Sequence, residues 1–181
     1  MGQNGQKEIV MKRFMLLLVM VAAVIIGAGC AGYTPQVSLP SYIQKLAIPV
    51  FFNKTQAYNV EQYITQKTID QFIADGKVTI SDEQNADGIL KVNIEKYILN
   101  PITFDNNQVP QQYRLRIYIS IYFFDNKNQR QLWAEEETLW EETTYYVVNN
   151  LGMPPETEEI ARLRVLDRLS ERVFRRVING W

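Results

Sequence analysis

The chain has 181 residues, with 19 Lys and Arg against 20 Asp and Glu, a formal net charge of −1, no histidine and a single cysteine, Cys30. This balance lacks the basic excess of a nucleic-acid binder. The missing histidine removes Ser-His and Cys-His catalysis and the commonest transition-metal ligand, and a lone cysteine allows no disulfide within the chain.

Lys12 and Arg13 lead into an apolar run of 13 residues, Phe14 to Ile26, and Gly27, Ala28 and Gly29 carry it to Cys30. A charged start, a short apolar stretch and a small-residue exit are the parts of a secretory signal peptide. The run is shorter than the roughly 20 apolar residues of a membrane span. The cysteine at the exit resembles a bacterial lipoprotein signal, whose thiol is acylated and becomes the first mature residue. Gly27 stands where such signals usually carry Leu. An uncleaved anchor helix and a soluble periplasmic protein with an unmodified thiol are the alternative readings, and Met11 is an alternative start. A single acyl chain binds a membrane weakly at about 0.8 kcal/mol per buried methylene, so stable tethering through Cys30 requires two or more. The acyl lipid is then the one non-protein group expected, with no cofactor and no metal. Residue 31 is Ala, where an Asp would resemble an inner-membrane retention signal, so the outer membrane is the expected destination, with the domain facing the periplasm. Loss of residues 1 to 29 removes Lys7, Lys12, Arg13 and Glu8 and leaves 16 basic against 19 acidic residues, a mildly acidic chain sized for one core.

Residues 30 to 41, with Gly32, Pro35 and Pro40, read as an extended tether, and the folded domain is expected over 42–181. Leu46 to Phe52 reads as a buried strand in which Pro49 favours an edge or a bulge. Asn53-Lys54-Thr55 follows as a turn. Val60, Ile64, Thr68 and Phe72 recur every four residues with Ile69 and Ile73 beside them, predicting a helix from the N-cap candidate Asn59 to a stop at Gly76. Lys77 to Ile80 is a short strand. Asp75-Gly76 and Asp87-Gly88 read as turns. Leu90, Val92 and Ile94 alternate with polar residues, and the alternation slips at Lys96 and Tyr97, which suggests a bulge. Asn106 to Gln112 reads as a linker.

The clearest strand is Tyr113 to Phe123, with Tyr113, Leu115, Ile117, Ile119, Ile121 and Phe123 on one face and Arg114, Arg116, Tyr118, Ser120 and Tyr122 on the other. Such alternation implies antiparallel pairing with one wet face. A turn at Asp125 to Gln129 returns it as Gln131 to Thr143, and Asn149 to Pro155 ends the ribbon. Leu163, Leu166, Leu169, Val173, Phe174 and Val177 stripe a last helix over Glu156 to Ile178, acidic at its start and arginine-rich at its end, which suits the helix dipole. The expected fold is α+β, a mixed and mostly antiparallel sheet with two helices on one face in the order β-α-β-β-β-β-α.

No nucleophile, metal constellation or phosphate loop points to an enzyme. The acidic runs Glu135 to Glu137 and Glu141-Glu142 read as a solvated face. Trp133 and Trp140, seven apart, face opposite sides of an unbroken strand, with Trp133 expected toward the core. Arginine pairs well with phosphate, which makes Arg114 and Arg116 on the wet strand face, and the helix cluster Arg172, Arg175 and Arg176, the candidate contacts for an anionic ligand or a partner protein.

Cys30-Ala31-Gly32-Tyr33, Ile48 to Thr55, Tyr113-Arg114-Leu115, Leu132-Trp133-Ala134-Glu135, Tyr145-Tyr146-Val147 and the arginine-rich helix ending at Gly180-Trp181 follow one another in an order and spacing that resembles the lipopolysaccharide-assembly lipoprotein family LptE. The resemblance implies a non-enzymatic subunit that plugs the outer-membrane β-barrel LptD, supports its assembly and contacts lipopolysaccharide. Leu46 to Thr55 and the first helix also resemble the opening unit of penicillin-binding-protein activators and curli-pore lipoproteins, which would imply a regulator of cell-wall synthesis or a secretion-pore subunit.

Overall fold

The computed structural model describes residues 39–149 and 154–179. Contacts divide the chain into Met1–Gln36 and Val37–Trp181, so the described residues all belong to the second unit. Cys30, the signal segment and most of the tether lie outside them. The elements are β1 (Lys45–Ala47), β2 (Phe52–Asn53), α1 (Val60–Asp75), β3 (Thr79–Ile80), β4 (Gly88–Phe104), β5 (Pro110–Asp125), β6 (Arg130–Tyr146) and α2 (Glu158–Asn179). The fold is α+β: one six-stranded sheet in the order β3-β1-β4-β5-β6, with β2 also paired to β4. The pairs β1–β3, β1–β4 and β2–β4 are parallel, and the long ribbon β4–β5–β6 is antiparallel.

One strand was expected over Leu46 to Phe52, and two are found. Pro49 lacks an N–H and falls between β1 and β2, where the ladder is interrupted. Two residues on, the N–H of Phe51 is satisfied by Thr65 Oγ1 at 2.9 Å, and that hydroxyl donates to Glu61 O at 2.6 Å. The helix thus supplies the hydrogen bond that the broken strand lacks.

Helix α1 buries Val60, Ile64, Thr68 and Phe72, the expected stripe, together with Thr65. Ile73 departs from it and faces solvent. Asn59 occupies the expected N-cap position, its carbonyl accepting from Tyr63 N at 3.3 Å, but its side chain does not cap the helix. It sits in the left-handed region at φ 58° without a side-chain cap bond, and the polar turn before the helix is organised instead by Asn53. Asn53 Oδ1 accepts from Thr55 N and Oγ1 at 2.9 and 2.8 Å, and its Nδ2 donates to Ala57 O at 2.8 Å and Glu61 at 2.9 Å. Gly76 ends the helix at φ 70°, donating to Phe72 O at 3.1 Å. Gly88 is not in a turn. It opens β4, and a Cβ there would lie 3.0 Å from the Phe123 ring and 3.1 Å from Ile43, so any other residue would push these core side chains back by a few tenths of an ångström.

The alternation of β5 decides the core. Leu115, Ile117, Ile119, Ile121 and Phe123 are all fully buried, each contributing about 1.5–3 kcal/mol by leaving water. They pack with Leu90, Val92 and Ile94 of β4 and with Val165, Leu166, Leu169, Val173 and Val177 of α2. Leu163 and Phe174 are only half-buried, and Phe174 meets Phe72 of α1 edge-on at 5.0 Å. Both helices therefore cover one face of the sheet.

The segment expected as a linker is a turn over residues 106 to 109 followed by strand from Pro110. Asp105 Oδ1 accepts from Asn107 N and Val109 N at 2.8 and 2.9 Å, and Gln108 adopts φ 62°. That turn closes a hairpin tightly enough for Pro110 to Gln112 to enter β5. On β4 the register slips between Ile94 and Lys96, as the sequence suggested. A second irregularity lies among the glutamates of β6, where Ile119 and Ile121 stand opposite Leu139 and Glu135 and Glu137 takes φ 50°.

Candidate interaction surface

The two faces of the ribbon carry the polar chemistry of the molecule. On the helix-free face, the register aligns Lys96 of β4, Tyr118 of β5 and Trp140 of β6 in one row across the strands. Lys96 Nζ lies 5.6 Å from the Tyr118 ring centroid, and Tyr118 and Trp140 meet at 6.3 Å. Arg116 stacks over Trp140 at 4.7 Å, donates from Nε to Glu142 at 2.8 Å and from Nη1 to the Tyr118 hydroxyl at 3.2 Å. Hydrogen bonds to Tyr118 and Glu142 raise its pKa above the ordinary arginine value. The cations of this face are largely compensated: Lys96 pairs with Glu137, Arg116 with Glu142 and Lys54 with Glu95 at 2.7 Å. Arg114 differs, being exposed and without an ion-pair partner among the described residues. The face thus offers stacked aromatic and guanidinium surfaces with little net charge, a composition suited to hydrogen-bonding contacts with bridging water.

On the other side, α2 and β6 form a seam that corrects two expectations. The glutamates are not simply a solvated face, and the helix arginines do not all point outward. Arg172 Nη1 donates to Glu141 at 2.7 Å and to Trp140 O at 2.8 Å. Arg168 lies 3.3 Å from Glu141 and donates to Glu142 O at 2.6 Å. Arg176 donates to Glu135 at 2.6 Å and covers the Trp133 ring at 4.8 Å. Burial works against ionisation of Glu135, but the hydrogen bonds from Arg176 and Thr138 outweigh it and lower its pKa. Arg175 is the outward member of the cluster and pairs with Glu171 of its own helix at 3.0 Å. The five candidate arginines therefore do not converge: Arg114 and Arg116 share the open face, Arg172 and Arg176 belong to the seam, and Arg175 faces solvent. Alternation along β6 survives its irregularity because four residues there replace two on β5, so Trp133 stacks on Phe123 against the core while Trp140, 40% exposed, lies on the open face.

Two features were invisible to sequence reasoning. The row Lys96–Tyr118–Trp140 depends on pairing across three strands, which the slip in the alternation near Lys96 does not by itself reveal. Beside the starts of the two helices lies a pair of clefts, of about 580 and 410 Å³, which share Tyr58 and Arg162. Tyr58 is 83% exposed. Tyr97 lines the larger cleft and donates to Glu158 at 2.6 Å, and burial together with that bond raises its pKa well above an ordinary phenol. Tyr63 borders the smaller one, and its pKa rises to about 12 through burial and its 2.8 Å bond to Asp167.

Among solved structures, the fold resembles a minor lipoprotein from Acinetobacter baumannii, at TM-score 0.48 and 16% identity over 75% of this chain and 93% of that one. It also resembles the rare lipoprotein B from Shewanella oneidensis, at TM-score 0.47 and 10% identity over 72% and 91%. No curated protein sequence matches the chain. The sequence does match the family described as LptE, lipopolysaccharide-assembly, over residues 43–177. That span runs from Ile43 in the core to Val177 near the end of α2 and includes the open face and the seam, so the chain belongs to the LptE lipopolysaccharide-assembly family.

Proposed function

We propose that this protein is a non-enzymatic outer-membrane lipoprotein, anchored through acylated Cys30, that plugs the lumen of an LptD-type barrel and supports the placement of lipopolysaccharide in the outer leaflet. The observation that carries the reading, within this family, is the open sheet face. A plug in a polar lumen needs a broad surface that forms hydrogen bonds without a large net charge, and the row of Lys96, Tyr118 and Trp140 with Arg116 and Glu142 has that composition. Within it, Arg114 is the cation best placed to meet a lipopolysaccharide phosphate, because Arg116 is held by Glu142 and Arg172 and Arg176 are engaged by β6.

Co-purification from outer membranes tests the reading. A stable complex with a large barrel protein is expected, and a complex with a peptidoglycan synthase in its place refutes it. Depletion should reduce both surface lipopolysaccharide and assembled barrel. Replacing Arg114 and Arg116 together with Ala should weaken lipopolysaccharide binding, and unchanged affinity removes this face as the ligand site. A free thiol at Cys30 in the mass spectrum of the mature chain removes the anchor.

A further inference from the structure

The two long flanks of the sheet are finished differently. On β6, the carbonyls of Trp140 and Glu142 accept from Arg172 and Arg168 of α2. Across the sheet, β1 and β2 flank β4 only as far as Ile94, whose carbonyl accepts from Lys54 N at 3.0 Å. From Lys96 to Phe104, β4 has β5 on one side and no strand on the other among the described residues.

Which main-chain groups face outward there follows from antiparallel alternation. Trp140 and Glu142 direct their carbonyls out of the sheet, so their partners on β5, Tyr118 and Arg116, direct theirs toward β4. Lys96 and Ile98, opposite Tyr118 and Arg116, are thus bonded inward. Tyr97 and Leu99 must then turn N–H and C=O away from β5, and neither has a main-chain partner on that side among the described residues. Pro101 follows in the same outward phase, where a missing N–H removes nothing from the β4–β5 ladder. The side chains of Tyr97 and Leu99 lie on the helix face, opposite Ile117 and Leu115. Tyr97 borders the cleft of about 580 Å³ whose lining includes Ala57, Tyr58 and Arg162. Arg164, Arg168, Arg172, Arg175 and Arg176 of α2 each have a carboxylate partner, and Arg162 has none among the described residues.

We propose that the β4 edge from Lys96 to Asn100 receives an extended segment of the barrel partner as an added strand, with an apolar side chain of that segment in the cleft beside Tyr97 and an acidic one on Arg162. The outward groups of Tyr97 and Leu99 supply main-chain hydrogen bonds, and the cleft reads alternate side chains, the two components of strand addition. Arg162 gives the occupant its charge: Glu158 of the same cleft is taken by the Tyr97 hydroxyl, which leaves the half-buried guanidinium without a carboxylate in an ion pair among the described residues and favours an acidic partner. On the β6 edge, the outward carbonyls of Trp140 and Glu142 are already taken by Arg172 and Arg168.

This inference rests on the barrel-partner reading, and amide hydrogen exchange on the full-length lipoprotein, free and co-purified with the barrel, separates the two. In the complex, the Tyr97 and Leu99 amides should slow by about 100-fold or more, while Ile98, already bonded to β5, changes little. Arg162→Glu, which leaves the β4–β5 ladder intact, should lower recovery of the complex about tenfold. A complex in which Tyr97 and Leu99 exchange as in the free protein overturns the added strand and leaves the plug reading standing. Absence of any complex overturns both. Slow exchange of these amides in a free protein of dimeric mass assigns the edge to a second copy and overturns the barrel assignment.

Discussion

Strand β4 is one continuous strand with two surroundings, and the Glu95 bulge divides them. Below it, Leu90, Val92 and Ile94 are fully buried, with β5 on one side and β1 or β2 on the other. Above it, Lys96 to Phe104 keeps the same partner on one side but is half-buried or exposed throughout. Local strand propensity does not make this difference. Ile94 and Ile98 are the same residue in the same strand, but the bulge leaves Ile94 on the helix face, flanked by strands on both sides, and turns Ile98, opposite Arg116, to the open face with a strand on one side only. The lower half contributes to stability, and the upper half is left available for recognition.

Truncation should show the contrast most strongly. Ile94→Ala leaves a cavity in the core and should cost about 2–5 kcal/mol in urea unfolding, while Ile98→Ala on the half-exposed stretch should cost less than about 1.5 kcal/mol. Equal losses would mean that the upper half is packed as tightly as the lower. Proline gives a finer distinction. Ile98→Pro deletes an N–H bonded to β5 and should cost about 2–3 kcal/mol, whereas Leu99→Pro deletes an outward one and should cost less than half as much. The reverse order would invert the phase assigned to the edge.

A smaller, pH-dependent effect concerns how the lower half acquires its cover. Asp87 Oδ2 accepts from the N–H groups of Gln44 and Lys45, both at 2.9 Å, and Lys127 lies 2.7 Å from its other oxygen. The hydrogen bond from Lys127, helped by those from Lys45 and Gln44, outweighs burial and holds its pKa down at about 2. An unfolded Asp titrates near pH 3.9, so the contribution is fully present above about pH 4 and is lost as pH falls toward 2. Asp87→Asn should flatten the dependence of the melting temperature on pH in that window. A variant that still loses stability as steeply between pH 4 and 2 would assign the acid sensitivity elsewhere.

The smallest effects belong to the charged surfaces. Arg168→Ala with Arg172→Ala should lower stability by about 1–2 kcal/mol, because these side chains are about two-fifths exposed and their ion pairs are partly screened. The β6 carbonyls they cap would be freed, and a shift toward dimers in light scattering would show that the edge had been sealed by these residues. Arg114→Ala should stay within about 0.5 kcal/mol.

What was legible in the sequence divides along similar lines. Tyr113 to Phe123 could be read because one buried face imposes a strict period of two, and both helices because their stripes recur at helical spacing. The turn at Asp105 could not, because the polar residues of Pro110 to Gln112 look like a linker until their pairing with β4 and β6 is known. The seam was hidden for a different reason. Arg172 and Glu141 are 31 residues apart and Arg176 and Glu135 are 41, and a run of like charges carries no mark of the opposite charges it will meet. Arg172, Arg175 and Arg176 look like one cluster on paper, yet helical rotation places Arg172 and Arg176 on the seam and Arg175 outside it. The upper half of β4 was obscured by its bulge, since a one-residue slip exchanges the faces on which a period of two depends.

The start of the domain has a mechanical consequence. The Tyr42 hydroxyl is held by the fully buried Asp125 at 2.7 Å, and two residues later the main chain is held by Asp87. Asp125 closes the β5–β6 turn with bonds to Asn128, and Lys127 of the same turn reaches Asp87. A pull on the chain ahead of Tyr42 is therefore passed through Asp125 and Asp87 to the start of β4 and the β5–β6 turn, across several clamps at once. The three-residue strand β1, which would unzip readily if it bore the force alone, is shielded from it.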